Sequence, residues 1–139
     1  MKRVDLSVAV TAHNEGIIAH KTILSLFAAV KKLEEKNISY EFLVHIDNGN
    51  EETIDYFKQY EKNKKFRIFQ NRFGDLGSSR NFLSQNADGE CIAFLDADDI
   101  WLPQKLERTL SFLQEKEAAF VYTGYVFARE SKIEEIGLP

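Results

Sequence analysis

Several residue types are scarce in this chain, and each shortage excludes a class of protein. A single cysteine, Cys91, among 139 residues excludes an internal disulfide and a cysteine-rich metal site. Lys and Arg number 18 against 22 Asp and Glu, and this net charge of -4 disfavours nucleic acid as a partner, because nucleic acid is bound through a basic face. No apolar run approaches the roughly 18 residues of a membrane-spanning helix. The first residues also lack the cleavage site of a signal peptide. We therefore expect a soluble, cytoplasmic protein without a transmembrane segment, which can still work at the inner face of a membrane.

Three common nucleotide and hydrolase motifs are also missing. The sequence contains no GxGxxG after its first predicted strand, no GxxxxGK and no GxSxG. These absences argue against a dinucleotide-binding domain, a P-loop and an α/β-hydrolase. His13, His20 and His45 are scattered without metal-ligand spacing, and Cys91 lies in a predicted buried strand, where inert packing is expected.

What the sequence does contain is a regular alternation of strand and helix patterns. Short apolar runs predict strands at 6–10, 41–46, 66–69, 91–95 and 120–127, and helical periodicity predicts helices at 17–33, 51–60, 78–86 and 103–116. The strand at 91–95 is expected to be the most buried, and Pro103 is expected to be the first residue of its helix. This order predicts an α/β sandwich with a mainly parallel sheet. With no repeat or linker, we expect residues 1–139 to form a single domain.

Polar residues follow the first, second and fourth predicted strands, at 11–15, 47–50 and 96–99. Because the carboxyl ends of parallel strands meet at one edge of a sheet, these residues are expected to lie close together. Ligands of such sheets bind in the crevice outside that edge.

The acids Asp96, Asp98 and Asp99 follow directly after an apolar strand. Two carboxylates about 6 Å apart repel each other by roughly 3 kcal/mol at an effective dielectric constant near 20. A hard divalent cation such as Mg²⁺ or Mn²⁺ would relieve this repulsion and is often shared with a substrate phosphate. Alternatively, the acids form a solvated turn that caps the next helix.

The other two polar segments also allow two interpretations. The segment 47–50 is good turn and helix-cap chemistry, although its place at the same edge favours a ligand-binding role. Segment 74–81 joins a glycine-containing loop to a helix N-terminus with Arg80 in its first turns, which suits a diphosphate. Arg80 could equally be a surface salt-bridge residue.

Taken together, these segments resemble the N-terminal half of a family 2 glycosyltransferase with the GT-A fold. The matching pieces occur in order at 7–15, 42–50, 77–81, 87–90 and 94–99, the last containing a DXD metal motif. Three positions depart from the family pattern. Ser79 stands in place of the alanine of the usual Ala-Arg-Asn. His13 stands where an aromatic residue is usual, and Asn48 replaces the second acid of the usual Asp-Asp-Gly-Ser.

The resemblance implies a metal-dependent, inverting hexosyltransferase that uses a nucleotide sugar, with a UDP-sugar expected as the donor and Mn²⁺ or Mg²⁺ as the cofactor. It also implies the site residues. The residues that would contact the nucleotide or the sugar are Thr11, Ala12, Glu15, Asp47, Asn48, Arg80, Asp96 and Ala97. The metal ligands would be Asp98, Asp96 and Asp99.

The acceptor side of the reaction has no counterpart in this sequence. The resemblance implies that the catalytic base and the acceptor-binding half follow Pro139, so we expect this chain alone to bind the donor without transferring sugar. The acceptor, a glycan or a lipid-linked hydroxyl, is not identified by the sequence. A non-catalytic nucleotide-binding module, a nucleotidyltransferase and a homo-oligomer that covers an exposed half-core remain open alternatives.

Overall fold

The computed structural model of the protein describes residues 4–129 and 132–137 and divides into two compact units, residues 1–106 and 107–139. The strands are β1 (Val4–Ala12), β2 (Tyr40–Asp47), β3 (Phe66–Asn71), β4 (Gly89–Asp96), β5 (Tyr125–Arg129) and β6 (Lys132–Gly137). The helices are a 3₁₀ turn (Gly16–Ile18), α1 (Ala19–Glu35), α2 (Glu51–Lys58), α3 (Leu76–Asn86) and α4 (Lys105–Glu115). Whether the two units behave as the predicted single domain stays a prediction.

The first unit is built on a four-stranded parallel sheet with the order β3-β2-β1-β4. The predicted α/β architecture with a parallel sheet is therefore confirmed. The two central strands are mainly apolar, and residues 6–12 of β1 and 40–46 of β2 are buried, as is typical of parallel strands covered on both faces. The helix α1 packs its apolar face into the core through Ile23, Leu26 and Leu33, while Leu24 remains exposed.

The fourth strand differs from its prediction. The sequence predicts that it is the most buried strand, but Leu95 is its only buried residue and Phe94 is 41% exposed. The reason is its position: β4 pairs with β1 on one side and lies at the edge of the sheet within the described residues. An apolar run by itself does not distinguish an edge strand from a central one. Cys91 is accordingly half-buried instead of buried.

Two further predicted boundaries are wrong. The strand predicted at 120–127 begins only at Tyr125, after Gly124, and belongs to an antiparallel hairpin with β6 in the second unit. The helix predicted to begin at Pro103 begins at Lys105, and Pro103 lies in the preceding turn.

The sheet topology creates the expected crevice. Strands β2 and β3 extend the sheet on one side of β1 and β4 lies on the other, so the strand order reverses between β1 and β4. In the register, Thr11 lies beside both His45 of β2 and Asp96 of β4. The polar ends of these three strands therefore meet at one edge, as predicted, and ligand crevices of open α/β sheets lie at such a reversal.

No helix in the described part of the chain is both long and apolar enough to cross a bilayer.

Candidate functional site

A cleft of about 350 Å³ opens at the carboxyl ends of the parallel strands, within the size range of small-molecule sites. Its walls come from the ends of β1, β2 and β4 and from the loop before α3. The lining residues are Thr11, Ala12, His13, Glu15, Asp47, Asn48, Gly74, Asp75, Leu76, Ser79, Asp96 and Asp98. The structure thus brings seven of the predicted site residues into one cleft: Thr11, Ala12, Glu15, Asp47, Asn48, Asp96 and Asp98.

Asp96 is held by two side chains. Its Oδ1 accepts a hydrogen bond from the Thr11 hydroxyl at 2.6 Å, and the Arg80 guanidinium donates to both carboxylate oxygens, at 3.1 Å and 3.3 Å. Arg80 also lies 5.9 Å from the centre of the Phe94 ring. The guanidinium is therefore a salt-bridge residue, as one alternative anticipated, but its partner is an acid of the cleft. Arg80 itself does not line the cleft.

The next residue, Ala97, lies inside the fold. It is 1% exposed, its N–H donates to the Thr11 carbonyl, and its own carbonyl accepts from the Thr22 hydroxyl. Its backbone polar groups are thus used in joining β4 to β1 and α1. A contact between Ala97 and a ligand stays a prediction.

Asp98 and Asp99 differ in their surroundings: Asp98 lines the cleft, whereas Asp99 lies outside the cleft lining and near the charge of Lys105. Asp98 is exposed in the cleft, and its carboxylate accepts no hydrogen bond from the described residues. Burial, and then the nearby charges of Asp98 and Asp96, raise the pKa of Asp99, and the charge of Lys105 opposes part of this rise. The helix α4 begins only at Lys105, so these acids do not cap it. Among the described residues no three His, Cys, Asp or Glu side chains converge closely enough to form a complete metal site.

Asp47 has its carboxylate engaged by the backbone of a neighbouring loop. Its Oδ1 accepts from the N–H of Phe73 at 2.6 Å, and its Oδ2 accepts from the N–H of Gly74 at 2.9 Å. Asn48, the next residue, has a φ of 50° and is exposed in the cleft. Its amide is therefore available to a ligand, whereas both oxygens of Asp47 already have donors.

His13 is a cleft residue that the sequence treats only as a departure from a family pattern. Its Nδ1 lies 2.5 Å from the carbonyl oxygen of Asp47, and because a carbonyl can only accept, Nδ1 carries the proton. Its Nε2 then accepts from the amide of Asn14 at 3.0 Å. The neighbouring Glu15 accepts the backbone N–H of His13 at 2.6 Å. These bonds fix the loop after β1 against the end of β2.

Gly49 allows this close approach of the two loops. A Cβ at this position would lie 2.2 Å from Cγ2 of Ile46 and 2.9 Å from the carbonyl oxygen of His13. The following Asn50 caps α2, because its side chain accepts the N–H of Thr53. The turn and cap interpretation of segment 47–50 is thus correct for its second half, while its first half faces the cleft.

The N-terminus of α3 supplies three lining residues that lie within the predicted segment 74–81 but are not among the individually predicted site residues: Asp75, Leu76 and Ser79. Asp75 is the N-cap, and its carboxylate accepts the N–H of Ser78 at 2.7 Å. Hydrogen bonds from Ser78 lower the pKa of Asp75. An aspartate that follows a glycine-containing loop is a normal N-cap signal, and Asp75 could have located this helix start. The carboxylate also occupies the helix end that the sequence predicts for a diphosphate.

Comparisons with known proteins agree with this geometry. The family described as Glycosyl transferase family 2 matches residues 7–135. The chain is 33% identical over 95 residues to the putative teichuronic acid biosynthesis glycosyltransferase TuaG of Bacillus subtilis, a match that covers 67% of this chain and 38% of TuaG.

Two solved structures show the same fold. TarS of S. aureus, in complex with UDP-GlcNAc, aligns with a TM-score of 0.69 at 23% identity, over 81% of this chain and 32% of TarS. The mannosyltransferase PcManGT from Pyrobaculum calidifontis, in complex with GDP-Man and Mn²⁺, aligns with a TM-score of 0.65 at 15% identity, over 81% of this chain and 33% of PcManGT. The chain therefore spans well under half the length of each of these proteins. The chain has the GT-A fold and a cleft at the reversal of strand order, and the family match covers nearly its whole length. This chain therefore belongs to glycosyl transferase family 2.

Proposed function

We propose that this chain is the donor-binding part of a glycosyltransferase that moves a hexosyl group from a UDP-sugar to an acceptor hydroxyl, with inversion at the anomeric carbon. The observation that carries the proposal is the cleft, whose lining includes Asp96 at the end of β4, Asp98 two residues after it, and Asn48 just after the end of β2. TarS, with the same fold, is in complex with UDP-GlcNAc, and TuaG is named for teichuronic acid biosynthesis.

A divalent cation fits the acids of the cleft. Mg²⁺ in particular is usually held by only one or two carboxylates, together with substrate phosphates and water, so the lack of a complete three-residue cluster is no obstacle. Asp98 accepts no hydrogen bond from the described part of the chain, Asp99 lies near two further acids and Lys105, and Asp96 is already compensated by Arg80. We therefore assign the cation to Asp98 and Asp99, with Asp96 beside them. When bound, it would stabilise the charge that develops on the diphosphate leaving group.

The other cleft residues would bind and orient the donor. Thr11 and Arg80 hold the Asp96 carboxylate in one orientation, so that it can accept hydrogen bonds from ribose or sugar hydroxyls at its remaining lone pairs. The Asn48 amide offers one donor and one acceptor group, which suits the N–H and carbonyl pair on the edge of a uracil ring. His13 and Glu15 hold the loop after β1 that forms the facing wall.

None of the cleft carboxylates is assigned as the catalytic base. Glu15, Asp47, Asp75 and Asp96 each accept hydrogen bonds from the chain itself, and Asp98 is assigned to the cation. A base must lie within hydrogen-bond reach of the acceptor hydroxyl and be free to take its proton. We therefore propose that this chain by itself binds the donor without transferring the sugar.

Thermal melts test donor binding. The chain is melted with UDP, GDP, TDP or CDP, each with Mn²⁺ or with EDTA. A ligand at 100 times its dissociation constant adds about 2.7 kcal/mol. At an unfolding entropy of about 2.1 cal/mol/K per residue, this corresponds to a rise in melting temperature of about 9 °C for a chain of this size. We expect the largest shift for UDP with Mn²⁺. The exposed acid Asp55, which pairs with Lys58 on α2, gives the matched control Asp55→Asn, which should keep the full shift. No shift with any nucleotide would remove the proposal.

A product assay tests transfer. The chain is incubated with labelled UDP-sugars, Mn²⁺ and a panel of hydroxyl acceptors, and we expect slow donor hydrolysis at most. Metal-dependent glycosidic product at ordinary enzyme rates, above about 1 per second, would show that a base lies within this chain. Binding without hydrolysis or transfer would favour the non-catalytic nucleotide-binding module.

A further inference from the structure

The last residue of β3 and the loop that follows it up to α3, residues 71–75 and here called the 71–75 loop, are attached to the end of β2 at several points. The carboxylate of Asp47 accepts the N–H groups of Phe73 and Gly74, one on each oxygen. Hydrogen bonds to a charged acceptor are about twice as strong as neutral ones. The backbone N–H of Asn48 also donates to the carbonyl of Asn71 at 3.0 Å.

The side chain of His45 forms the second attachment. This residue is fully buried in β2, and its Nε2 lies 3.1 Å from Oδ1 of Asn71. Its ring stacks on Phe73 with a centroid distance of 5.1 Å and an interplanar angle of 18°, and Phe82 of α3 contacts both rings. The loop is thus held in two ways: its backbone N–H groups donate to the Asp47 carboxylate, and the Phe73 ring stacks on His45.

This loop forms one wall of the cleft. Gly74 and Asp75 line the cleft directly, and Gly74 has a φ of 79°, a conformation that side-chain-bearing residues rarely adopt. We propose that Asp47 and His45 are positioning residues, which hold the 71–75 loop in its cleft-forming conformation before the donor arrives, and that Asp47 does not itself contact the donor. The relevance of this loop to donor binding rests on the proposed function, whereas the attachment itself does not.

The physical consequence is a preformed wall. If only a fraction of the molecules had the wall in place, the apparent dissociation constant of the donor would rise by the inverse of that fraction. Releasing the loop should therefore weaken donor binding without removing any group that touches the donor. If Asp47 contacted the donor directly instead, its replacement would weaken donor binding while the conformation of the 71–75 loop stayed unchanged.

Amide hydrogen exchange of the ligand-free chain, measured by NMR, separates these possibilities. In Asp47→Asn, the amide oxygen can accept only one of the two N–H groups, and its NH₂ faces the other. We expect exchange at Phe73 and Gly74 to accelerate about tenfold or more. The charge-matched control Asp55→Asn should leave both rates unchanged. Unchanged exchange in Asp47→Asn would overturn the proposal.

A second variant, Phe73→Leu, tests the aromatic attachment and covers the case in which Asp47→Asn does not fold. It keeps an apolar side chain and both carboxylate bonds but removes the stack on His45. We expect faster exchange at Gly74 and weaker UDP binding in the presence of Mn²⁺. If Phe73→Leu changes neither, His45 is not a positioning residue.

Donor affinity completes the test. Asp47→Asn should weaken UDP binding in the presence of Mn²⁺ about tenfold. The cleft variant Asn48→Gly removes the amide and tolerates the φ of 50°, so it should weaken binding with exchange at Phe73 and Gly74 unchanged. Weaker binding in Asp47→Asn with unchanged exchange would make Asp47 a ligand contact and contradict the proposal. If wild-type protein binds no nucleotide, the proposed function fails, and the exchange data alone decide whether the loop is held as described.

Discussion

Asp96 and Asp98 are separated by a single residue, but replacing each of them by asparagine should change the free energy of unfolding in opposite directions. Asp96 is compensated in the fold by Arg80 and Thr11, whereas Asp98 is exposed and has no partner among the described side chains. Asp96→Asn should therefore destabilise the protein in the absence of metal, and Asp98→Asn should stabilise it. The same pair of changes would be indistinguishable if the acids were an ordinary solvated turn.

The size of each effect follows from the geometry. The Arg80–Asp96 ion pair joins side chains that are 41% and 36% exposed, and exposed pairs are worth about 0.2–1 kcal/mol. The short bond from Thr11 to a charged oxygen raises the expected loss for Asp96→Asn to about 1–2 kcal/mol. For Asp98, a like charge about 6 Å away in a water-like dielectric costs roughly 0.7 kcal/mol. Its removal should therefore add about 0.5 kcal/mol to the free energy of unfolding.

Urea denaturation in EDTA, followed by far-ultraviolet circular dichroism, measures both effects. A shift in the urea midpoint with an unchanged m value gives the change in the free energy of unfolding. Because the gain in Asp98→Asn is a repulsion between exposed charges, it should largely disappear at about 1 M salt, where the Debye length is about 3 Å. Shifts of both variants in the same direction, or a gain that persists in high salt, would refute this account of the acids.

Three further changes test other parts of the structure. Gly49→Ala places a Cβ against Ile46 and should cost about 1–3 kcal/mol while distorting the cleft, which a thermal melt and a UDP titration would detect; full stability and affinity would contradict the close approach. Glu41→Gln removes the carboxylate whose oxygen lies 3.0 Å from the Arg67 guanidinium. It should lower the free energy of unfolding by about 1–3 kcal/mol in urea denaturation, and a neutral result would show that the pair is solvated. Burial lowers the pKa of His45 below its ordinary value of 6.5, so stability should be full above pH 6.5 and fall as the pH drops below it, as measured by urea midpoints; a His45→Phe variant with the same pH dependence as wild type would contradict this.

The fold was largely predictable because its signals are local. Apolar runs, helical periodicity and polar strand ends lie within ten or so neighbouring residues, and they correctly predict the parallel sheet and the edge that carries Thr11, Asp47 and Asp96. The burial of β4 was not predictable in this way. Whether a strand lies at the centre or the edge of a sheet depends on pairing with distant segments, and the sequence of β4 resembles that of the central strands.

The partners inside the site were not predictable for the same reason. Asp47 meets backbone groups 26 and 27 positions away, and Arg80 meets an acid 16 positions away. The sequence identifies Asp47, Arg80 and Asp96 as members of the site, but only the tertiary structure shows which of their polar atoms are already used. Among the cleft-lining residues, Asp98 and Asn48 have side chains with no hydrogen bond to the described part of the chain, and they are accordingly the strongest candidates for contact with a metal and a nucleotide.

The central claim is that one cleft binds a nucleoside diphosphate and a divalent cation together. Isothermal titration of the chain with UDP, in Mn²⁺ and in EDTA, measures this claim directly, and the reciprocal titration of Mn²⁺ with and without UDP must give the same coupling factor. We predict that Mn²⁺ tightens UDP binding at least about tenfold in the wild type and in Asp55→Asn, and that Asp98→Asn removes the tightening. UDP binding that is equally tight in EDTA, or a full Mn²⁺ effect in Asp98→Asn, would contradict the account.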